Sequence, residues 1–438
     1  MKNFLTFTIS FLFILQINAQ NLNDTIVIKN VHVIPMNVET VLTNRDVFIS
    51  NKKIINISKT GEHTIKSTYK LIDGENKYLL PGFAEMHFHN QNNLKNEFKL
   101  LIANGITTTR NMAEYEGQDQ IKNKNLASTI ETAPLYYTTG PYLMKGHFKS
   151  KNDVRKIVFQ HKERGYDFLK LADNLPKEIY LELLKETHKN NIKIVGHGQR
   201  KLPLEYSLRM KSIAHIEEFM NILPKEDLKN NKKLIHYAKE IKNNGVYVSP
   251  TLGIYNMIMN YADNKKHNDL EESKNLKYLP KHYTDYWLSD SINYRKHSWF
   301  TDKESLKRLQ RELNWQMKFT KILNQEKVYL LSSSDTYGLF IPGFSLHEEL
   351  ALMNTSGLST FETLKTTTIN PARYLNTISQ EGTVTIGKNA NLVLLNKNPL
   401  ENIKNTKSIY GVFLKGKWIS REDLDSMLNE VEKSYKKE

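Results

Sequence analysis

Eight short apolar segments alternate with helical segments through the middle of this 438-residue sequence, and they predict an α/β fold with a (β/α)8 barrel. Each apolar segment is rich in Val, Ile, Leu or Phe, and several intervening segments repeat apolar residues at the spacing of an amphipathic helix. Eight alternating units favour a closed barrel of the TIM type over an open sheet. The other strand-like segments occur only near the two ends of the chain.

The eight candidate barrel strands share the short length and high apolar content of buried parallel strands. They are Phe83–His87, Thr107–Asn111, Tyr136–Gly140, Phe168–Leu171, Ile192–His197, Ser212–His215, Val246–Ser249 and Val328–Ser332. Between the last two lies a stretch, about 256–326, that is rich in Tyr, Trp, Lys and Asn and has helical periodicity. We interpret it as a helical insertion that either caps the barrel mouth or lies at the periphery.

The strand-like segments near the ends are rich in Val and Ile and are bounded by polar turns. They are Thr25–Pro35, Val47–Ile57, Gly382–Asn396 and Tyr410–Ile419. Since a lone hairpin cannot bury its own apolar face, the two ends must pair with each other. We therefore expect residues 20–80 and 376–438 to form one small β-sandwich domain, and residues 81–375 to form the barrel.

Residues 1–19 have the pattern of a secretory signal peptide. Lys2 gives a positive start, the segment from Phe4 to Leu15 is nearly all apolar, and Ala19 precedes Gln20 at the expected cleavage site. The alternative, an uncleaved membrane anchor, would need an apolar run of about 20 residues. The chain contains no Cys, which is compatible with export without disulfides. These features predict an exported protein of the bacterial periplasm, the extracellular space or the cell surface.

The formal net charge of +15 does not indicate a nucleic-acid-binding protein. The chain has 62 Lys and Arg residues against 47 Asp and Glu residues, but the Lys residues are scattered among Asn and form no dense basic block. We expect a small-molecule substrate, no nucleic acid and no integral membrane segment after removal of the signal. The sequence leaves open whether the chain forms a homo-oligomer.

Six residues that can bind metal ions lie at or near the carboxyl ends of five predicted strands. They are His87, His89, Lys170, His197, His215 and Asp335. In a barrel the carboxyl ends of the strands surround one site, so these side chains are expected to converge. Lys170 lies inside an apolar strand, where a lone ammonium is costly to bury and therefore needs a partner or a chemical change.

At these positions the sequence resembles the amidohydrolase superfamily, in the branch of imidazolonepropionase and the Xaa-Pro dipeptidase-like enzymes. The resemblance extends from Thr25 to Trp418. It includes the LPGF segment before His87, the segment NGITTTR at Asn104–Arg110 and, most closely, Pro342–Leu375. The resemblance implies a metal-dependent hydrolase on a (β/α)8 barrel.

The resemblance also implies two divalent metal ions and the residues that bind them. His87 and His89 would bind the more buried ion, and His197 and His215 would bind the second. Imidazole and oxygen ligands suit Zn, with Fe, Mn or Co as alternatives.

Four further side chains receive roles from the resemblance. Lys170 would be carboxylated and would bridge both ions; without carboxylation the site could be mononuclear. Asp335 would contact the first ion and transfer a proton between the hydroxide that bridges the ions and the leaving group. His147 and Tyr142, in the segment after the third strand, are candidates for substrate binding, and a loop histidine without a function is the alternative for His147.

The sequence therefore predicts an exported metal-dependent amidohydrolase that cleaves an amide, cyclic amide or peptide bond, as a dipeptidase or carboxypeptidase does. Two alternatives remain at this point. One is a lactonase or organophosphate-type hydrolase, because the same centre attacks esters and phosphotriesters. The other is a metal-containing binding protein without catalytic activity.

Overall fold

The computed structural model describes residues 25–437 and confirms the mixed α/β fold with a barrel. The strands are β1 Ile26–Val33, β2 Leu42–Ser50, β3 Lys53–Lys59, β4 Lys70–Asp73, β5 Tyr78–Pro81, β6 Phe83–Phe88, β7 Ile106–Asn111, β8 Leu135–Thr138, β9 Leu169–Leu171, β10 Ile194–Gly196, β11 Ser212–Ala214, β12 Tyr247–Ser249, β13 Leu392–Leu395, β14 Ile409–Leu414 and β15 Lys417–Ser420. The predicted signal peptide, residues 1–19, lies outside the described residues.

The helices separate the barrel strands and extend beyond them. They are α1 Leu94–Ala103, α2 Gln120–Thr129, α3 Lys151–Arg164, α4 Lys177–Lys189, α5 Leu204–Ser207, α6 Phe219–Ile222, α7 Asn231–Asn243, α8 Leu252–Ala262, α9 Asn264–Glu271, α10 Lys281–Leu288, α11 Asn293–Lys296, α12 Ser298–Thr301, α13 Lys303–Gln325, α14 Phe344–Thr355, α15 Thr360–Thr367, α16 Ile369–Tyr374 and α17 Arg421–Tyr435. Within residues 25–437, no helix has both the length and the hydrophobicity that a membrane-spanning helix needs.

Seven of the eight predicted barrel segments contain regular parallel strands. Strands β6 to β8 form one parallel group, and β9 to β12 form another. Backbone hydrogen bonds join the two groups, because the amide of Phe168 donates to the carbonyl of Thr138 at 3.1 Å and that of Lys170 donates to Thr139 at 3.2 Å. The groups therefore form one continuous wall.

The eighth segment closes the barrel without forming a regular strand. Leu330 makes one parallel bridge with Val248, and the amide of Leu331 donates to the carbonyl of Val248 at 2.9 Å. On the other side, the amide of Met86 in β6 donates to the carbonyl of Ser332 at 3.1 Å. The segment thus bonds to both β12 and β6, and it brings the chain to Asp335.

Helix α4 illustrates how the helices pack on this wall. Its buried residues include Tyr180, Leu183 and Leu184, which recur at three- and four-residue intervals and so lie on one face. They belong to the same hydrophobic cluster as Leu169 and Leu171 of β9. The amphipathic helix predicted over Lys177–Asn190 is present, and it packs against β9, the strand that contains Lys170.

The strands from the two ends of the chain meet in one eight-stranded sheet. The order is β15-β14-β13-β5-β1-β2-β3, with β4 paired to β1. Strand β5 is the junction, because it pairs in parallel with β1 and in antiparallel with β13. One hydrophobic cluster contains residues from both ends, including Val31 and Leu394. The division of the chain into a sandwich domain and a barrel domain stays a prediction.

The predicted insertion between the seventh and eighth barrel segments is helical. Helices α8 to α13 fill it, and an aromatic cluster holds the first part together. In that cluster the ring of Trp287 lies 5.7 Å from that of Tyr261 and 4.6 Å from that of Tyr337, measured between centroids. Because Tyr337 follows the eighth segment, these contacts attach the insertion to the barrel.

Candidate metal centre

The carboxyl end of β6 brings two imidazoles together. His87 and His89 are two residues apart, so their side chains leave the extended chain on the same side. Their Nε2 atoms lie 3.1 Å apart, and both side chains are buried. Burial lowers the pKa of both residues, and the nearby Lys170 lowers that of His87 further. Both imidazoles are therefore neutral, which is the form that binds a metal ion.

Asp335, which follows the eighth barrel segment, adds a carboxylate to this group. Its amide donates to the carbonyl of His87 at 2.8 Å, and its φ of 56° lies in the left-handed region. Its Oδ1 atom lies 3.1 Å from Nε2 of His89 and 3.4 Å from Nε2 of His87. Burial alone would raise the pKa of Asp335, but the hydrogen bond with His89 and the positive charge of Lys170 hold it well below its usual range. The carboxylate is ionised.

Lys170 lies beside the two imidazoles in the middle of β9. The residue is 1% exposed, and its Nζ atom is 3.5 Å from Nε2 of His87. Burial lowers its pKa to about 8, although the charge of Asp335 opposes this shift. Roughly a tenth of the Lys170 side chains are consequently neutral amines near pH 7, far more than for an ordinary lysine, and the neutral amine is the form that reacts with carbon dioxide.

His215 and His197 extend the site along the neighbouring strands. His215 follows β11 with a φ of 67°, and its Nδ1 atom lies 2.9 Å from Oγ1 of Thr251 and 3.7 Å from Oδ2 of Asp335. Burial lowers the pKa of His215 to about 3. The ring centroid of His215 is 4.8 Å from those of both His87 and His197. The four imidazoles therefore form one continuous row.

Gly196 determines the direction in which His197 leaves β10. Its φ is 115°, a conformation that residues with a Cβ rarely adopt, and a Cβ there would lie 2.3 Å from the carbonyl oxygen of Leu171. That same oxygen accepts the hydrogen bond from the amide of His197 at 2.8 Å. Only glycine allows this close approach.

The ring nitrogen Nδ1 of His197 is bound to a buried carboxylate. This atom lies 2.8 Å from Oε1 of Glu218, whose side chain is fully buried. The guanidinium of Arg200 donates to both oxygens of that carboxylate, with Nε 2.6 Å from Oε2. Burial alone would raise the pKa of Glu218, but the hydrogen bonds from Arg200 and His197 lower it to about 2.

The residues present fit a bound metal ion. The ligand atoms of His87, His89 and Asp335 all lie within 4.8 Å of one another. Neutral imidazoles and an ionised carboxylate form a donor set that suits divalent Zn and its first-row neighbours. His215, His197 and Lys170 lie beside this group. The roles predicted for these six residues stay predictions, but the fold brings all six together.

A cavity of about 550 Å³ opens over this group. Metal-site candidates form its floor, and the remaining lining is mostly aromatic or aliphatic. Besides His89, Lys170, His197, His215 and Asp335, the lining comprises Gln91, Tyr115, Tyr142, Glu217, Ile254, Tyr255, Ile258, Tyr294 and Tyr337. Tyr255 and Tyr294 belong to the helical insertion, which therefore forms part of the cavity wall.

The two predicted substrate-binding residues lie in different places. Tyr142 lines the cavity over the metal-site candidates. His147 instead lies in an exposed 3-10 turn, where its Nδ1 atom accepts a hydrogen bond from the amide of Met144 at 3.0 Å. It lines a second cavity of about 610 Å³, together with Phe159 and His161. A role of either residue in substrate binding stays a prediction.

Several residues of the site were not predicted from the sequence. Glu217 and Glu218 come two and three residues after His215, so the SIAHIEE segment contained a usable signal: two carboxyls close to a candidate ligand. The tyrosines of the lining had no such signal, because they come from separate loops and helices. Burial and the charge of Glu218 raise the pKa of Glu217 to about 8.

Comparison with known proteins identifies the family. The model of the amidohydrolase family matches residues 78–419, which covers the barrel and the strands after it. The chain belongs to the amidohydrolase family. Membership confirms the prediction of a hydrolase that acts on carbon–nitrogen bonds, and it agrees with the His-His-Asp group described above.

Solved structures share the fold of this amidohydrolase at low sequence identity. Bottromycin amidohydrolase superimposes with a TM-score of 0.72 at 19% identity, over 95% of this chain and 92% of that chain. A Xaa-Pro dipeptidase with methionine in its active site gives a TM-score of 0.66 at 14% identity, over 91% of this chain and 100% of that chain.

One curated relative matches a short part of the amidohydrolase. It is the adenine deaminase of Staphylothermus marinus, which is 35% identical over 88 residues. The match spans 19% of this chain and only 14% of the deaminase.

Proposed function

We propose that this amidohydrolase is an exported enzyme that hydrolyses an amide, cyclic amide or peptide bond at a centre of two divalent metal ions. The observation that supports it most directly is the position of Asp335. Its ionised carboxylate lies within 3.4 Å of the imidazoles of His87 and His89, with Lys170 and His215 beside them.

In this proposal the metal ligands divide into two sets. His87, His89 and Asp335 would hold the first ion, and His197 and His215 would hold the second. Lys170, as a carbamate, would be a ligand shared by the two sets, and carboxylation would also convert a buried cation into an anionic ligand. Zn is the proposed metal, because imidazole and oxygen ligands suit it. Bound divalent ions would supply a hydroxide nucleophile near neutral pH and would polarise the carbonyl of the scissile bond.

Asp335 would transfer the proton. As an ionised carboxylate next to the nucleophile it can accept a proton, and it can then donate that proton to the leaving nitrogen. The low pKa of Asp335 ensures that the base form is present before substrate binds.

Two further parts of the proposal concern the location of the enzyme and its subtype. The signal-peptide pattern of residues 1–19 supports export to the bacterial periplasm, the extracellular space or the cell surface. Peptidase activity is the first subtype to test, because a Xaa-Pro dipeptidase is among the proteins with a similar fold.

The test combines metal analysis with a substrate panel. The chain from Gln20 onward is purified with added Zn, its metal content is measured, and it is assayed with dipeptides, aminoacyl amides, lactams, lactones and phosphotriesters. We expect about two ions per chain and turnover of at least one amide. Asp335→Asn should lower kcat by roughly 10²- to 10⁴-fold, the usual effect of losing a general base.

Two results would overturn the proposal. Turnover of lactones or phosphotriesters alone would indicate an ester hydrolase. A protein that holds two ions and hydrolyses nothing in the panel would indicate a metal-containing binding protein.

A further inference from the structure

The face of the barrel opposite the candidate metal ligands is rich in cations. Seven Lys and Arg residues line two cavities there, of about 400 Å³ and about 220 Å³: Lys193, Arg209 and Lys211 in the larger, and Lys242, Lys327, Lys365 and Arg373 in the smaller. Lys193 directly precedes β10 and Lys211 directly precedes β11. His197 and His215 each follow four residues later, which is about 13 Å of extended chain. The cations therefore lie at the amino-terminal end of the barrel, away from the metal-site cavity.

Carboxylates are scarce in the lining of these two cavities. Among the described residues of that lining, Glu362 is the single Asp or Glu, and Nζ of Lys365 lies 3.0 Å from its carboxylate. The other six cations form no ion pair within residues 25–437. Burial and the charge of Lys193 lower the pKa of Lys211. Like charges thus lie next to each other with no anion between them, which is unfavourable until an anion binds.

Tyrosine rings hold several of these cations in place. Nζ of Lys211 lies 5.1 Å from the ring centroid of Tyr247. The ring of Tyr329 has Nζ of Lys242 at 4.1 Å and the guanidinium of Arg373 at 5.7 Å. Tyr247 and Tyr329 stack with their centroids 5.1 Å apart, so they join the two cavities into one basal surface. A ring face attracts a cation but leaves its N–H donors available to an anion.

The arrangement of the cations favours many anionic groups in a layer over one small anion. Lys193, Lys211 and Lys327 come from the starts of three barrel segments, while Lys242 and Arg373 come from helices α7 and α16. Since neighbouring strands are about 4.8 Å apart, these charges are spread across the base of the barrel and do not converge on one point.

The same surface is poorly suited to nucleic acid and to insertion into a membrane. Tyr247 is buried, and Lys242 lies over the ring of Tyr329, so neither tyrosine is free to stack on a base. Among residues 25–437, none of the large hydrophobic side chains that are exposed belongs to this lining. Contact with the charged headgroups of a bilayer needs no such side chain, whereas entry into the acyl region does.

We propose that the basal surface binds the phosphate headgroups of an anionic lipid bilayer. A Lys or Arg near such a surface strengthens binding by about fivefold, so six cations without carboxylate partners suffice for reversible attachment. The metal-site cavity opens at the other end of the barrel, so it faces water when the basal surface lies on the bilayer. The inference goes beyond the proposed hydrolysis and requires neither the amide substrate nor the metal ions.

Vesicle sedimentation tests the attachment with the chain from Gln20 onward. The protein is mixed with vesicles of phosphatidylcholine or of phosphatidylglycerol, at low and at high salt. We expect at least about tenfold stronger partitioning into the anionic vesicles at low salt, and loss of that preference at high salt. The triple variant Lys193→Gln, Lys211→Gln and Lys242→Gln should reduce the partitioning by at least about tenfold.

A second triple variant controls for net charge. Lys265→Gln, Lys266→Gln and Lys274→Gln remove the same charge from exposed positions in the helical insertion, which lies on the side of the metal-site cavity. This variant should partition nearly as well as the unmodified protein. Melting temperatures of both variants show whether they fold.

Chemical labelling locates the contact without any substitution. Lysines of the unmodified protein are acetylated with and without phosphatidylglycerol vesicles, and the modified positions are read by mass spectrometry. We expect the vesicles to protect Lys193, Lys211 and Lys327, while Lys265 and Lys266 stay reactive.

Each contrary result has a clear meaning. Equal partitioning into the two kinds of vesicle, equal losses in the two triple variants, or protection of the insertion in place of the basal surface would overturn the inference. Retention by polyphosphate or DNA without partitioning into anionic vesicles would also overturn it, and would assign the basal surface to a soluble polyanion.

Discussion

The Oε1 atom of Glu218 lies 2.8 Å from Nδ1 of His197, and Arg200 holds the same carboxylate from the other side. Since the carboxylate is ionised, it can only accept the hydrogen bond, so Nδ1 of His197 must carry the proton. The lone pair of His197 is consequently on Nε2. A carboxylate behind a histidine is a recurring arrangement in metal sites, where it orients the ring and makes it a stronger ligand.

Replacing Glu218 should weaken metal binding without removing a ligand. Glu218→Gln keeps the shape of the side chain but loses the charge that orients His197 and pairs with Arg200. We expect the affinity for the second metal ion to fall by roughly 10- to 100-fold, measured by competition with a chelator. The exposed Glu226→Gln is the matched control. An unchanged affinity in Glu218→Gln would show that the charge of Glu218 does not support metal binding by His197.

Gly196→Ala should displace His197 while leaving most of the barrel intact. The added Cβ would lie 2.3 Å from the carbonyl oxygen of Leu171 in a backbone conformation that alanine adopts poorly. We expect a lower melting temperature and about one metal ion per chain instead of two.

Gly245→Ala is the control for the steric clash, because the φ of Gly245 is also positive, at 66°, but no atom lies within 4 Å of its added Cβ. Gly245→Ala should lose roughly 1 kcal/mol of stability and keep both ions. Equal metal content in the two variants would contradict this account.

Lys170 should form a carbamate that carbon-13 can label. Protein prepared with ¹³C-bicarbonate is expected to show a carbamate signal in the NMR spectrum, and Lys170→Ala should lack it. The variant should also retain at most about one ion, because the bridging ligand is gone. Acetate or propionate can enter the space left by the side chain, and we expect them to restore part of the metal content. Two ions in Lys170→Ala without added carboxylate would argue against a bridging role.

His347 should make the stability of the fold depend on pH. The residue is 2% exposed in α14, Nδ1 lies 2.9 Å from Oγ1 of Thr406, and burial lowers the pKa to about 3 from the usual 6.5. Between these two values the unfolded chain binds a proton that the folded chain does not, so stability falls as the pH falls. From about pH 7 to pH 5 this one residue should cost about 2 kcal/mol.

His347→Gln provides the comparison for that pH dependence. Glutamine can keep a hydrogen bond to Thr406 but does not titrate. Denaturant unfolding at both pH values should therefore show a smaller loss of stability in the variant than in the unmodified protein. Parallel losses in the two proteins would show that His347 does not contribute.

The ligand candidates were predictable from the sequence because strand geometry is local. His87 and His89 converge since side chains alternate along a strand, and the barrel brings the ends of other strands to the same place. The support of His197 by Glu218 was not predictable, because the two residues are joined by a hydrogen bond between different loops. The cavity wall was not predictable either, since Tyr255 and Tyr294 belong to helices that are separate from the strands with the candidate ligands.

The eighth barrel segment shows a different limit of prediction. Its Val- and Leu-rich sequence indicated a strand, and the segment does lie between β12 and β6 with hydrogen bonds to both. It makes too few ladder contacts for a regular strand, and the chain then turns at Asp335, which adopts a left-handed conformation. Sequence patterns report where a segment is buried more reliably than how many hydrogen bonds it makes.

The sheet that joins the two ends of the chain has a consequence for biosynthesis. Pro81 of β5 pairs with Leu392 of β13, so one edge of β5 has no partner until almost the whole chain has been made. During that time the exposed edge can pair with other chains, which is a route to aggregation. Truncation before β13 would make that state permanent. The last three strands therefore complete the fold late, and an early stop codon before them should yield insoluble protein even though every candidate ligand is present.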